Sequence, residues 1–137
     1  MFKVPILFIF FVLFTSYTNA FQFKAFKCNV LDTVGVNKDG RLDDKSGWVH
    51  LYKGKEFIVD RETGRVLGKI ISNSDVNYEP EVISKGSSKV PFKAINLYNK
   101  SYDHISYLQV DTRFDYHPYP FHFLTEKGFV TGTCVGY

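Results

Sequence analysis

Hydrophobic and polar residues alternate in short runs along most of this chain, and clusters of Gly, Asn, Asp and Pro separate the runs. No stretch has a helical period longer than two turns, whereas short runs of period two are typical of β-strands. The pattern predicts strands over residues 21–30, 48–53, 56–60, 65–72, 81–84, 90–98, 104–111, 119–126 and 129–135. In the first strand we expect Phe21, Phe23 and Ala25 to share one face.

Two turn sequences indicate how the strands are connected. Residues 37–40 read Asn-Lys-Asp-Gly, and residues 61–64 read Arg-Glu-Thr-Gly between two predicted strands. Gly40 and Gly64 supply the positive φ that such turns require. With about eight strands joined mainly in sequence, we predict a single all-β antiparallel domain of meander type, either a β-sandwich or a β-barrel.

Several strands carry apolar residues on both faces, which keeps the sandwich and the barrel open as alternatives. In the strand over 119–126, alternation places Phe121 and Phe123 opposite His122 and Leu124. A sandwich strand that is covered on both sides has this pattern. A barrel strand that faces an apolar interior has it as well.

The first twenty residues have the pattern of a cleaved export signal. Lys3 precedes an apolar run over residues 4–14, and a small, polar stretch ends at Ala20. The run is shorter than the roughly 20 apolar residues that a membrane span needs. We therefore expect a signal peptide over 1–20 and one β-rich domain over 21–137, exported to the periplasm or the extracellular space, with no membrane span after cleavage.

The two cysteines lie near the two ends of the expected mature chain. In an oxidising compartment, a disulfide between Cys28 and Cys134 is the default expectation, and an intermolecular pairing is the alternative. Neither cysteine belongs to a Cys-x-x-Cys motif or precedes a helix, as a reactive thiol would. Pairing would bring the first and last strands together, and closing so long a loop is worth about 4–5 kcal/mol.

Charge and composition argue against one class of partner. The chain has 17 Lys and Arg against 14 Asp and Glu, a formal net charge of +3, and the basic residues are scattered. Nucleic-acid binding requires a clustered basic surface. We expect no nucleic-acid partner and a monomeric protein.

No motif for catalysis is present, and we predict no cofactor and no catalytic residue. The chain lacks Gly-x-Ser-x-Gly and His-Glu-x-x-His. The sequence around Asn37 and Asp39 resembles part of a calcium loop, but Gly35 and Ser46 stand where that loop has carboxylates. Turn chemistry explains these residues, and we predict no metal ligands there. A hydrolytic enzyme is therefore the weakest of the functional alternatives.

A loose transition-metal site is the one alternative that keeps a metal-dependent enzyme open. His104 and His122 would meet if their strands are neighbours, and Asp103 or Asp115 could complete the ligand set. A hydrogen-bonded packing role explains a histidine in an aromatic segment more simply, so no metal ligand is predicted. Asn99 begins an Asn-x-Ser acceptor sequence for glycosylation, which matters only in a eukaryotic source.

The aromatic segment 114–123 is the best candidate for recognition. It places Tyr116, His117, Tyr119 and Phe121 on a proline-containing loop that enters a strand. Aromatic side chains on such a loop offer a large contact area at low entropic cost. The leading hypothesis is an exported, non-catalytic domain that binds a protein partner as an inhibitor, immunity-type or envelope protein. A small-molecule carrier with an apolar interior is the alternative.

The chain resembles small exported β-rich bacterial proteins with no assigned activity. The resemblance rests on the early cysteine, on Trp48, and on the motifs Asp60-Arg61-x-Thr63-Gly64-Arg65, Tyr107-Leu108-x-Val110 and Thr131-Gly132-x-Cys134. It implies export and a compact β-domain. It implies no catalytic residue. The size and the disulfide are also similar to those of bacterial periplasmic lysozyme inhibitors, although no recognition loop matches theirs.

Overall fold

The computed structural model describes residues 23–45, 49–73, 79–97, 105–114, 117–126 and 128–137. Within these ranges the protein is all-β, as predicted, and its one helical element is a single 3-10 turn, Val49–Leu51. No helix among the described residues is long and apolar enough to cross a bilayer. The strands are β1 (Ala25–Val36), β2 (Leu42–Asp43), β3 (Glu56–Asp60), β4 (Val66–Gly68), β5 (Glu81–Lys85), β6 (Phe92–Leu97), β7 (Ile105–Val110), β8 (Tyr119–Thr125) and β9 (Gly128–Gly136).

The strands form one antiparallel sheet in the order β4-β3-β1-β9-β8-β7-β6-β5, with β2 paired to the end of β1. Strands β5 to β9 follow one another as the predicted meander, and β9 then pairs with β1. The sheet curls into a half-barrel. The turn between β3 and β4 reaches the far part of the sheet, because a Cβ at Gly64 would lie 2.9 Å from the Cβ of Ala94 on β6.

The segment after β4 lies between the two edges of the curled sheet. The backbone N–H of Val66 donates to Oδ1 of Asn73 at 2.7 Å, and Nδ2 of Asn73 donates to the carbonyl of Gly64 at 3.0 Å. On the other side, Nδ2 of Asn96 on β6 donates to the Asn73 carbonyl. Asn73 is almost fully buried. Asn73 therefore links β4, at one edge of the sheet, to β6, which is next to the other edge.

The predicted disulfide is confirmed. Cys28 on β1 and Cys134 on β9 are directly opposite in register, with their Cα atoms 4.0 Å apart, and both are buried on the inner face. The first and last long strands therefore lie side by side.

A β-bulge on β1 changes which residues face the core. The buried positions are Phe26, Cys28 and Val30, after which Leu31 and Asp32 are both exposed and the register with β9 shifts. Gly132 lies opposite the bulge, where a Cβ would come within 2.0 Å of the Asn29 carbonyl oxygen. Only glycine permits this close approach of the two backbones.

Two predictions about the first half of the chain need correction. Ala25 lies on the outer side of β1, whereas Phe23 precedes the strand and packs against the core rings of Phe26 and Tyr119, so these two residues do not share a face. The predicted strand over 48–53 is also wrong where it can be compared: a 3-10 turn begins at Val49, and Gly54 at a φ of 74° ends the segment. Among the side chains of this run that the structure describes, that of Tyr52 packs into the core. Trp48 and Phe21 lie outside the described residues.

Aromatic side chains fill the inner face of the half-barrel. Phe57 on β3 meets Phe121 on β8 edge to face with ring centroids 5.1 Å apart, and Phe26 on β1 lies 5.4 Å from Phe92 on β6. The ring centroid of Phe123 also lies 6.3 Å from that of Phe57. Burial of each such ring stabilises the fold by about 1.5–3 kcal/mol. Distant strands therefore meet through these rings, which holds the sheet in its curled form.

Candidate functional site

The structure separates the four residues that the sequence proposes as a contact loop. His117 is exposed, whereas Tyr119 and Phe121 retain only 4% and 3% of their accessible surface. Tyr116 lies outside the described residues. His117 and Tyr119 are close together, with ring centroids 4.4 Å apart. The interpretation of this loop as a contact surface stays a prediction, and among the described residues it rests on His117.

Strand alternation explains why Tyr119 and Phe121 are inside. Both belong to β8, whose inner positions are buried against the aromatic core. The ring centroid of Tyr119 lies 6.3 Å from that of Phe23 and 6.3 Å from that of Phe26. The outer positions of the same strand are Pro120, His122 and Leu124. The expected placement of His122 opposite Phe121 is therefore confirmed. This segment therefore also presents a ring, that of His122, on the outer side of the sheet.

An apolar, aromatic surface crosses the outer side of β7, β8 and β9. We call it the outer aromatic face, formed by Leu31, Tyr107, His122, Leu124 and Phe129. The His122 ring is stacked on Phe129 with centroids 5.7 Å apart and an interplanar angle of 27°, and Tyr107 lies 5.9 Å away on the other side. Leu31, Leu124 and Phe129 are all exposed. A shallow concavity of about 500 Å³ lies between Leu31, His122 and Phe129.

The sheet register brings these side chains together. Tyr107 on β7, Leu124 on β8 and Phe129 on β9 are directly opposite one another, in one row across three strands. His122 lies in the next row, between Gln109 and Thr131. Alternation along the sequence predicts that His122 faces outward. The row could not be found without knowing which strands are neighbours and in what register.

The centre of the outer aromatic face is uncharged, and its charges lie at the border. Burial lowers the pKa of His122; the Asp111 carboxylate opposes this shift and Lys93 adds to it. The imidazole is therefore neutral at neutral pH. Arg113 donates to both oxygens of Asp111, at 2.8 and 2.7 Å, and this pairing lowers the pKa of Asp111.

A separate cavity of about 280 Å³ opens at one end of the half-barrel interior. Ile71 and Phe123 contribute apolar surface to it, and Tyr52, Ser106 and Glu126 contribute polar groups. Ser106 is 8% exposed, and its Oγ has no hydrogen-bond partner in the part of the chain that the structure describes. The sequence carries one signal for this site, which is a polar residue at a core-facing position of the β7 alternation. Sequence reasoning missed it.

Most of the residues of the hypothetical transition-metal site lie outside the described part of the chain. His122 is described, but His104, Asp103 and Asp115 lie outside the described residues. Within the part of the chain that the structure covers, no three His, Cys, Asp or Glu side chains are grouped as metal ligands would be.

Comparison with known proteins identifies no relative for this chain. No protein-family model, no curated protein and no solved structure matches it. The function is therefore argued from the chemistry of its surfaces and cavities, because fold alone does not determine function.

Proposed function

We propose that this protein is an exported, non-catalytic β-domain that binds a protein partner through the outer aromatic face. The observation that carries the proposal is the row of Tyr107, Leu124 and Phe129 with His122 stacked beside it, open to solvent on three neighbouring strands. Contiguous apolar surface with a polar border is typical of protein interaction sites.

The geometry of the face suits a protein contact. The rings of Tyr107, His122 and Phe129 support one another, so little side-chain freedom remains to be lost on binding. Aromatic residues are also enriched among the residues that contribute most to binding energy. The paired charges of Asp111 and Arg113 lie at the border, where they would affect orientation more than affinity.

The location is part of the proposal. The chain begins with the pattern of an export signal, and the described domain contains a buried disulfide. Disulfides persist mainly in oxidising compartments. Both features support a periplasmic or extracellular protein.

The alternative of a carrier with an apolar interior has less support. Phe26, Phe57, Phe92 and Phe123 are each no more than 2% exposed and occupy the middle of the described interior. A bound molecule would have to use the cavity at one end. The outer aromatic face is the larger and more open surface.

The proposal is tested by a matched pair of charge substitutions on exposed apolar residues. Leu124 is 45% exposed on the outer aromatic face, and Ile83 is 56% exposed on edge strand β5. We expect Leu124→Lys to abolish capture of the partner, because a lysine would have to be desolvated against an apolar contact. Ile83→Lys should leave capture unchanged. The measurement is quantitative affinity capture from extracts of the native host with wild type and both variants.

A partner that is retained by Ile83→Lys and lost by Leu124→Lys supports the proposal. A protein that binds all three chains equally, or that is lost with both variants, contradicts it. Analytical ultracentrifugation of the wild type provides a further check, because self-association through this face would replace the proposed partner with a second copy of the chain.

A further inference from the structure

The cavity at the end of the half-barrel has features that the outer aromatic face does not explain. It measures about 280 Å³ and combines the ring of Phe123 and the side chain of Ile71 with the polar groups of Tyr52, Ser106 and Glu126. Apolar walls with a few convergent polar groups are the usual form of a small-molecule site. The cavity lies on the inner side of the sheet and is independent of the proposed partner surface.

Two buried polar atoms near this cavity have hydrogen-bonding capacity that is not used. Oγ of Ser106 and Oδ1 of Asn96 are both buried and have no hydrogen-bond partner among the described residues. The two residues are directly opposite each other on β7 and β6. Native proteins rarely leave such atoms unsatisfied, because their desolvation is costly. Of the two residues, Ser106 lines the cavity. Its hydroxyl can accept a hydrogen bond from a ligand, and so can the Glu126 carboxylate in the same lining.

The charge around the cavity limits the ligand further. Glu126 is the one ionised side chain among the described residues that line it. Burial raises the pKa of Tyr52, and the Glu126 carboxylate raises it further, so the negative field reaches into the cavity. Glu126 also interacts with other groups of the chain, but a carboxylate has about four acceptor positions and is not exhausted by one contact. An anionic ligand would be repelled here.

The volume sets the size of the ligand. A closed apolar cavity of about 150 Å³ holds a benzene molecule, and the present cavity is nearly twice as large. A single ring or a branched alkyl group with a short polar arm fits this space.

We propose that this cavity binds a small amphipathic molecule, with an aromatic or branched alkyl body against Phe123 and Ile71 and an uncharged or cationic hydrogen-bond donor, such as an alcohol or amine, directed at Ser106. The Glu126 carboxylate selects against anionic head groups. This assignment requires no property of the outer aromatic face.

Three probes of one shape test the proposal: 2-phenylethanol, 2-phenylethylamine and phenylacetate. Their rings are identical, while their head groups are neutral, cationic and anionic. Binding to the full domain is followed by amide chemical shifts in NMR titrations. We expect saturable shifts at Asn73, Ser106 and Phe123 with the alcohol and the amine. Phenylacetate should bind at least about fivefold more weakly, because two like charges near a protein surface repel strongly.

Two substitutions separate the hydrogen bond from the charge. Ser106→Ala should weaken 2-phenylethanol binding about three- to tenfold, the usual value of one net hydrogen bond. It should not impair folding, since the hydroxyl that it removes has no partner. Glu126→Gln should remove most of the discrimination against phenylacetate. Ser88→Ala, in the exposed loop before β6, is the matched control and should change no affinity.

Each outcome decides the proposal. Shifts confined to residues around the cavity, lost with Ser106→Ala and kept with Ser88→Ala, support it. No saturable binding of the alcohol or amine up to millimolar concentration overturns it, and so do shifts centred on His122 or an affinity that Ser106→Ala leaves unchanged. Unchanged discrimination in Glu126→Gln overturns the charge selectivity. Failure here would leave the partner-capture experiment unaffected, because that experiment probes Leu124.

Discussion

The two ends of the half-barrel differ in how their buried side-chain oxygen atoms are hydrogen-bonded, although Nε of Arg65, just after the β3–β4 turn, is also buried without a partner among the described residues. At one end, which we call the arginine end, Arg61 extends from the β3–β4 turn and donates to the carbonyl of Phe23 and to that of Lys85, both at 2.7 Å. At the other, the cavity end, Ser106 and Asn96 each have a buried polar atom without a partner among the residues that the structure describes. Both ends belong to the same sheet.

The arginine end has the properties of a structural closure. The guanidinium of Arg61 lies 4.9 Å from the centroid of the Phe23 ring, so it stacks while it hydrogen-bonds. Nearby, Thr112 is 1% exposed and its Oγ lies 2.8 Å from the carbonyl oxygen of Ser87. Hydrogen-bonded polar groups of this kind hold loops against the sheet. Burial of a polar group therefore indicates a ligand only where the group also lacks a hydrogen-bond partner.

Substitution of Arg61 should reduce the stability of the fold more than any other change proposed here. We expect Arg61→Ala to lower the free energy of unfolding by about 3 kcal/mol, because at least two backbone carbonyls lose a charged donor and the Phe23 ring loses its stacked cation. Equilibrium unfolding in urea measures the change.

Arg61→Lys is the control for charge alone. A lysine keeps the cation but cannot donate in two directions from a planar group, so it should recover less than half of the loss. If Arg61→Ala is as stable as the wild type, the arginine end is not closed by these bonds and the comparison fails.

A smaller effect comes from removing one hydroxyl at each end. Thr112→Val takes away a hydroxyl that donates to a backbone carbonyl and should cost about 1–2 kcal/mol. Ser106→Ala takes away a hydroxyl without a partner, so its effect should be within about 0.5 kcal/mol of zero. Thermal and urea unfolding of both variants without added ligand measure the difference. Equal losses at the two sites would show that Ser106 is satisfied after all.

Some of this architecture is visible in the sequence because it depends on local chemistry. The turn at residues 61–64 is predicted from its glycine, and Gly64 has a φ of 73°. The pairing of Cys28 with Cys134 follows from composition and expected compartment. Strand alternation correctly places His122 opposite Phe121.

What the sequence could not reveal depends on how distant strands come together. The partners of Arg61 lie 38 and 24 residues away along the chain, and only the curl of the sheet brings them into reach. The bulge at Leu31 shifts the inward and outward alternation of β1 by one residue, and no local sequence pattern predicts this shift. The cavity at Ser106 likewise exists only because the segment after β4 meets β7 and β8.

A still smaller effect on stability concerns the titration of one group at the arginine end and one on the outer aromatic face. At the arginine end, the hydrogen bond from the Thr63 backbone is the largest factor that lowers the pKa of Asp60. On the outer aromatic face, burial lowers the pKa of His122 from its ordinary value of 6.5. In both cases the unfolded chain binds the proton more tightly than the folded one, so stability rises with pH. The two groups act in different pH windows because their ordinary pKa values differ.

We therefore expect the free energy of unfolding to fall in two steps on acidification. The first begins near pH 6.5, where unfolded His122 takes up its proton, and is complete once the pH passes below the folded pKa of His122. The second begins near pH 3.8 and includes Asp60. His122→Gln should remove the first step and retain the second, as measured by urea unfolding from pH 8 to pH 3. A first step of unchanged size in His122→Gln would mean that another group titrates there, and that the outer aromatic face does not hold its histidine neutral.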